Sequence, residues 1–102
     1  MLNTNKLYTE TIIVQSPGNI ISDMDGETVM MSIDNGKYYN LGVIGGYIWG
    51  NIGTPITIKT LVSKLSNEFN VEDSQCKKDV IHFLEQLLNE KIIMIEKGLK
   101  DS

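Results

Sequence analysis

Arginine is absent from this 102-residue chain: all nine basic residues are lysines, set against thirteen acids, for a formal net charge of −4. Proteins that bind nucleic acid concentrate positive charge and use arginine against phosphates and guanine edges, so no nucleic-acid partner is expected. Cysteine occurs once, at Cys76, which excludes an internal disulfide and makes a reducing, cytoplasmic compartment the simplest expectation. No run approaches the ~18 apolar residues of a membrane span. The first ten residues, MLNTNKLYTE, lack the basic start, apolar core and small-residue cleavage site of a secretion signal. Neither a membrane partner nor export is therefore expected. The length suits one domain over 1–102 with one modest core, its ends at 1–10 and 97–102 expected to be flexible.

Residues for chemistry are equally scarce. The single histidine, His82, and Cys76 lie six positions apart on one predicted helix, about 240° apart around its axis, so they cannot pair within it. Cys76 reads as a small core residue and His82 as a partly exposed structural one. A zinc site has no ligand cluster to hold it. The run DMDGE (Asp23, Asp25, Glu27) opens like a calcium loop, but its twelfth position is Asp34 inside another turn rather than a bidentate glutamate. Glycines 42, 45, 46, 50 and 53 match neither phosphate-binding spacing. No catalytic set, metal or cofactor is expected.

What the chain does carry is a change of period. Thr11 to Gln15 is β-branched and followed by the turn cluster Ser16, Pro17, Gly18, Asn19. Ile20 to Met24 ends at Asp25-Gly26, and Thr28 to Ile33 ends at Asn35-Gly36; both dipeptides suit two-residue hairpin turns of type I′, whose central positions need positive φ. Lys37 to Leu41 returns as a further strand, so an antiparallel meander is expected. From Val43 to Ile52 the isoleucines recur every four residues, which predicts a short helix despite three glycines. Thr57 is placed to cap a second helix with Ile58, Leu61, Val62, Leu65 and Phe69 on one side. Glu72 and Asp73 open a third, whose wide stripe is Cys76, Val80, Phe83, Leu84, Leu87 and Leu88. Ile92 to Ile95 is a short apolar run with strand character.

Lys37 to Leu41 closes the meander, and native proteins usually blunt an open strand edge with charge or proline. Tyr38 and Tyr39 do neither. Beside a helix bearing Phe83, Leu84 and Leu87, such an edge would suit a guest peptide that adds as a strand, with its alternate side chains in apolar pockets. The alternative is that both tyrosines simply pack, and residue physics alone leaves both open.

The order of "NGKYYNL", "VIGGYIW", the capped "TIKTLVSKL" and "DVIHFLEQLLNEKII" resembles the PqqD-like family over nearly the whole chain. The stretch from "SPGNIISDMDG" to "GGYIW" is most similar to the stand-alone leader-binding proteins of lasso peptide pathways. The resemblance implies an α+β fold: a three-stranded antiparallel sheet followed by three helices, winged helix-turn-helix-like. It implies a non-catalytic function, binding the leader of a ribosomally made, post-translationally modified precursor peptide. The leader would add to the last strand, at Lys37, Tyr38, Tyr39, Asn40 and Leu41, and lie against the third helix at Val80, Phe83, Leu84 and Leu87. The implied partners are that precursor, a leader peptidase and an ATP-dependent lasso cyclase. The chain departs from the family at Gly42, where relatives commonly have a capping Asn, and at Lys91, where many have Gly.

Two other functions fit the same elements. One is a peptide chaperone of another modification pathway, run by a radical enzyme. The other is a winged-helix DNA-binding protein, against which Glu72 to Glu90 sets five acids and only two lysines.

Overall fold

The computed structural model describes residues 7–96. The order of elements is β1 (Ile12–Gln15), β2 (Asn19–Met24), β3 (Glu27–Ser32), β4 (Lys37–Leu41), α1 (Gly42–Asn51), β5 (Ile56–Thr57), α2 (Ile58–Phe69), α3 (Asp73–Asn89) and β6 (Ile93–Glu96). The fold is thus α+β with three helices and antiparallel sheets. The single three-stranded sheet expected from the sequence becomes two: β2-β3-β4, and a second of order β5-β1-β6.

Local turn chemistry explains the division. Gly18, at φ +90, and Asn19, whose Nδ2 donates to the Ser16 carbonyl at 3.1 Å, turn the chain sharply after β1. β1 therefore leaves the meander and runs between β5 and β6, with Ile13 opposite Ile56 on one side and Ile95 on the other. Ile13 is wholly buried. The apolar run after the third helix is indeed a strand, β6, and it finds its partner at the start of the chain.

The β2–β3 hairpin turns at Asp25 and Gly26, both at positive φ, with Met24 paired to Glu27, as the type I′ expectation requires. The β3–β4 turn differs. Ser32 pairs with Lys37, so four residues form the loop, and only Gly36 within it has positive φ. Buried Ser32 is the reason: its Oγ accepts from Asn35 N at 3.1 Å and its carbonyl from Gly36 N at 2.8 Å, which closes the wider loop. Met30 and Ser32 face the core, while Ile33 falls in the loop and is exposed.

α2 begins as expected, with Thr57 Oγ1 accepting from Thr60 N at 3.1 Å. α1 carries Ile48 and Trp49 into the core beside Ile58, Leu61, Leu65, Val80, Leu84 and Leu87 of the other helices. Its entry is unusual. Thr28 pairs with Gly42 rather than Leu41, so Leu41 is an extra residue in β4, and its φ −83, ψ −17 are those of a bulge. Gly42 itself sits at φ +75, and its N–H is taken by Asn40 Oδ1 at 2.9 Å. Asn40, two positions earlier, thus holds the glycine's N–H at the entry to α1, while the N-cap residue Leu41 makes no side-chain cap bond.

At the end of α3, Lys91 N donates to the Leu88 carbonyl and Ile92 N to the Leu87 carbonyl, at 3.0 and 2.9 Å. This pair of bonds is a Schellman motif, and it places Lys91 at φ +62, the left-handed conformation that favours glycine. Lys91→Gly is expected to raise stability by about 1 kcal/mol, roughly 4–8 °C in melting temperature, because a side chain is removed from a left-handed conformation. Differential scanning calorimetry reads this directly, and an unchanged or lowered Tm would contradict it.

Of the ends expected to be flexible, 1–6 and 97–102 lie outside the described residues. Within 7–10, Leu7 is buried in the core and the Thr9 carbonyl accepts from Lys59 N at 2.9 Å. Among the described residues, no helix is long and apolar enough to cross a membrane.

Candidate functional site

β4 is the outer strand of its sheet. Which of its backbone groups face outward follows from the first hairpin. A two-residue turn is flanked by a hydrogen-bonded pair, here Met24 and Glu27, and bonded and non-bonded pairs then alternate along an antiparallel ladder. Residues 27, 29 and 31 thus bond to β2, while 28, 30 and 32 bond toward β4. Since Met30 pairs with Tyr39 and Ser32 with Lys37, those two residues of β4 spend their main-chain groups on β3. The N–H and C=O of Tyr38 and Asn40 point to the open edge.

Side chains alternate the other way. Tyr39 and Leu41 turn inward and pack against the core, while Tyr38 stands on the opposite face, 75% exposed. The tyrosine pair is therefore split. Asn40 is exposed too, and its side chain is engaged with Gly42 N and with Glu27 Oε1 at 3.0 Å, leaving the backbone as its contribution to the edge.

α3 approaches β4 at two points. Its end reaches the strand's start through Glu90, and its middle reaches the strand's end through Phe83, whose ring lies over Gly45 close to Leu41. A Cβ at Gly45 would stand 3.0 Å from that ring, so the glycine's smallness lets Phe83 lie down on α1. Just past the end of β4, among the three helices, a cleft of about 300 Å³ opens, walled by Leu41, Ile44, Phe69, Val80 and Phe83, with Asp79 and Gln75 also lining it. Phe69 is held edge-on by Tyr47, ring centroids 5.3 Å apart. Cys76 lies among the lining residues with its Sγ 3.9 Å from the Val62 carbonyl; burial first, then Asp73 and Asp79, push its thiol up, away from thiolate chemistry.

Of the residues singled out in the sequence, Leu41 and Phe83 meet at this cleft, while Tyr39 lies two residues back along β4 and is bonded to Glu90 at the end of α3. Lys37 joins them through Glu90, at 3.6 Å, and Val80 lines the cleft although almost fully buried. Leu84 and Leu87 turn into the core, Leu84 without any exposed surface. The sequence stripe was too wide to separate these faces. Around the α3 axis, Asp79 and Glu90 lie within about 40° of Phe83, whereas Lys77 and Lys78 lie more than about 110° away.

Sequence reasoning missed the polar end of the groove. Glu90 Oε1 accepts from Tyr39 Oη at 2.7 Å, Asn35 Nδ2 donates to the Glu90 carbonyl at 2.9 Å, and the same Nδ2 lies 3.1 Å from Tyr39 Oη. The hydrogen bond from Tyr39 and then the charge of Lys37 hold the Glu90 carboxyl below the ordinary carboxylate value. Desolvation, and next the Glu90 bond, push the Tyr39 phenol up. A depressed carboxyl contributes stability that is present above its unfolded pKa and lost as pH falls through its folded one. The difference in Tm between wild type and Glu90→Gln should accordingly be present at pH 7 and shrink below the ordinary glutamate range. Carboxyl ¹³C NMR should place Glu90 below the ordinary glutamate value in wild type and return it toward that value in Tyr39→Phe; an unmoved titration would refute the coupling.

Residues 27–93 match the family model of coenzyme PQQ synthesis protein D. Among solved structures, TbiB1 in complex with the TbiA(beta) leader peptide superposes with a TM-score of 0.71 at 22% identity, covering 83% of this chain and 99% of that one. The PqqD truncation of Methylobacterium extorquens PqqCD, described as a functional, stand-alone recognition element for ribosomally synthesised and post-translationally modified peptides, superposes at 0.75 with 9% identity, covering 88% and 96%. At these identities the likeness is one of fold. Curated proteins provide no match.

Proposed function

This chain belongs to the PqqD family, and from that membership we propose that it is a non-catalytic domain that captures the leader of a ribosomally made precursor peptide. The observation that carries this is the open edge of β4 beside a groove walled by Leu41, Ile44 and Phe83. The guest adds as a fourth strand, bonded to the backbone of Tyr38 and Asn40, with alternate side chains seated against α3. The site comprises Lys37, Tyr38, Tyr39, Asn40 and Leu41 on the strand and Phe83 and Val80 on the helix, while Leu84 and Leu87 support it from the core. The whole chain acts as one such domain, its helices arranged in the winged helix-turn-helix manner of the family.

The energetics agree with a peptide rather than a small ligand. Four edge hydrogen bonds at about 1 kcal/mol net, plus three apolar anchors at roughly 1.5–3 kcal/mol each, give about 8–13 kcal/mol before the costs of association and ordering. Those costs remove several kcal/mol, so the backbone bonds alone do not hold a guest and the anchors must contribute.

The pathway is that of a lasso peptide, in the cytoplasm, with the captured precursor handed to a leader peptidase and an ATP-dependent cyclase. Its support is the sequence likeness of residues 16–49 and the fold shared with TbiB1. The test is a titration of the ¹⁵N-labelled protein with synthetic lasso-precursor leaders, the TbiA(beta) leader first. Amide shifts should concentrate at residues 38–41 and along the Phe83 side of α3. Shifts confined to β2 or β6, or binding of none of the leaders, would overturn the proposal.

A further inference from the structure

Strand addition decides which face each guest side chain takes, but not how far the guest has slid. A slip of two residues returns every side chain to its own face, so it is the competing mode that an open edge must exclude. We propose that the cluster of Tyr39, Glu90, Lys37 and Asn35 is a register stop, which rests on leader capture at β4 as proposed above.

Glu90 is out of place for a helix. It is the C-cap of α3, where the exposed carbonyls already carry negative potential and an acid is unfavourable, and the last turn supplies no basic residue to offset it. Its carboxylate is turned instead to the sheet, onto Tyr39 Oη and Lys37 Nζ, while Asn35 binds its carbonyl. These four groups come from a turn, a strand and a helix end, and they converge only at the Lys37 end of the groove. The other end is mostly apolar: Leu41, Ile44 and Phe83 border the cleft there, with Asp79 and Gln75 confined to its α3 side.

The two ends therefore treat a sliding guest differently. An apolar anchor seated in the cleft would, after a two-residue slip toward Lys37, be set against a carboxylate and an ammonium and strip water from both without replacing it. A slip the other way carries the guest past Leu41, where the bulge and the start of α1 end the strand. One register remains. Tyr39 and Glu90 are positioning residues in this scheme.

The probe is the TbiA(beta) leader with a nitroxide at one end, read as paramagnetic broadening on ¹⁵N-labelled protein. Wild type should show one broadening pattern. Glu90→Leu should add a second, displaced along β4 by about 7 Å, the length of two strand residues. A leader whose apolar anchors are moved two residues toward the Lys37 end should bind wild type roughly ten-fold more weakly than the original and recover in Glu90→Leu. Glu90→Gln keeps a polar group and should keep one pattern, which a mere loosening of the helix end would not. Should Glu90→Leu fail to fold by circular dichroism, the double variant Lys37→Met, Glu90→Met, which exchanges both charges for unbranched apolar side chains, replaces it in the same comparison. Two patterns in wild type, or one unmoved pattern in the apolar variants, overturns the stop while leaving capture intact. Absence of wild-type binding across the leader panel overturns capture, and the stop with it.

Discussion

Tyr38→Pro is expected to weaken leader binding by about 100-fold or more while leaving Tm within a few degrees of wild type. Proline removes the outward N–H and puts a ring where the guest backbone must lie, and on an edge strand it takes nothing from the existing sheet. The neighbouring substitution separates edge from fold. Tyr39→Pro deletes a group bonded to β3 opposite Met30, a fully buried residue, so it should lower stability as well as binding. Tyr38→Thr removes the aromatic ring but keeps the N–H, and should cost far less binding than the proline. Fluorescence anisotropy with a labelled leader that binds wild type measures all three. Equal affinities for Tyr38→Pro and wild type would place the peptide somewhere other than this edge.

Gly46→Ala should destabilise the fold by about 2–3 kcal/mol, reversing the sign that helix propensity alone dictates. In an ordinary helix interior, alanine gains roughly 1 kcal/mol over glycine. At position 46 a Cβ would collide with Thr28 Oγ1 and stand 2.7 Å from Thr28 Cβ, and a threonine held in a strand has little freedom to turn aside. Helix α1 would have to lift from β3, taking Ile48 and Trp49 with it. Gly50 in the same helix meets nothing within 4 Å, so Gly50→Ala should follow the ordinary sign and stabilise by several tenths of a kcal/mol. Urea denaturation of the pair decides the matter; two shifts of the same sign would mean that the close approach of α1 to β3 is not what the glycine serves.

Much of this architecture was legible from short-range chemistry. Asp25-Gly26 announced its own turn, Thr57 its cap, and the switch from alternation to helical spacing after Leu41 divided strands from helices. Three features were not legible, each for a physical reason. TIIVQ and IIMI are short apolar runs with no local signal of a partner, so nothing near either indicated that they pair with each other. Asn35-Gly36 has the composition of a two-residue turn, but the buried hydroxyl of Ser32 selects a wider one. The apolar stripe of α3 covers both its core and groove faces, and only packing distinguishes Leu84, sealed inside, from Phe83, lying on Gly45. Most of the candidate site was visible as the strand Lys37 to Leu41 with Phe83. Its polar end was not, because Asn35, Tyr39 and Glu90 belong to three elements whose meeting depends on where α3 stops.

The placement of β1 has a consequence for how the protein is made. β2, β3 and β4 are joined by tight hairpins and need only near neighbours, whereas β1 waits for β6, with Ile12 pairing Glu96 roughly eighty residues later. Contacts of such separation are slow to close, so as the polypeptide leaves the ribosome the hairpins assemble early and the β5-β1-β6 sheet is the last act. Until then Ile13 and Ile93 are uncovered, and it is the nascent chain, rather than the finished one, that depends most on being kept from aggregating.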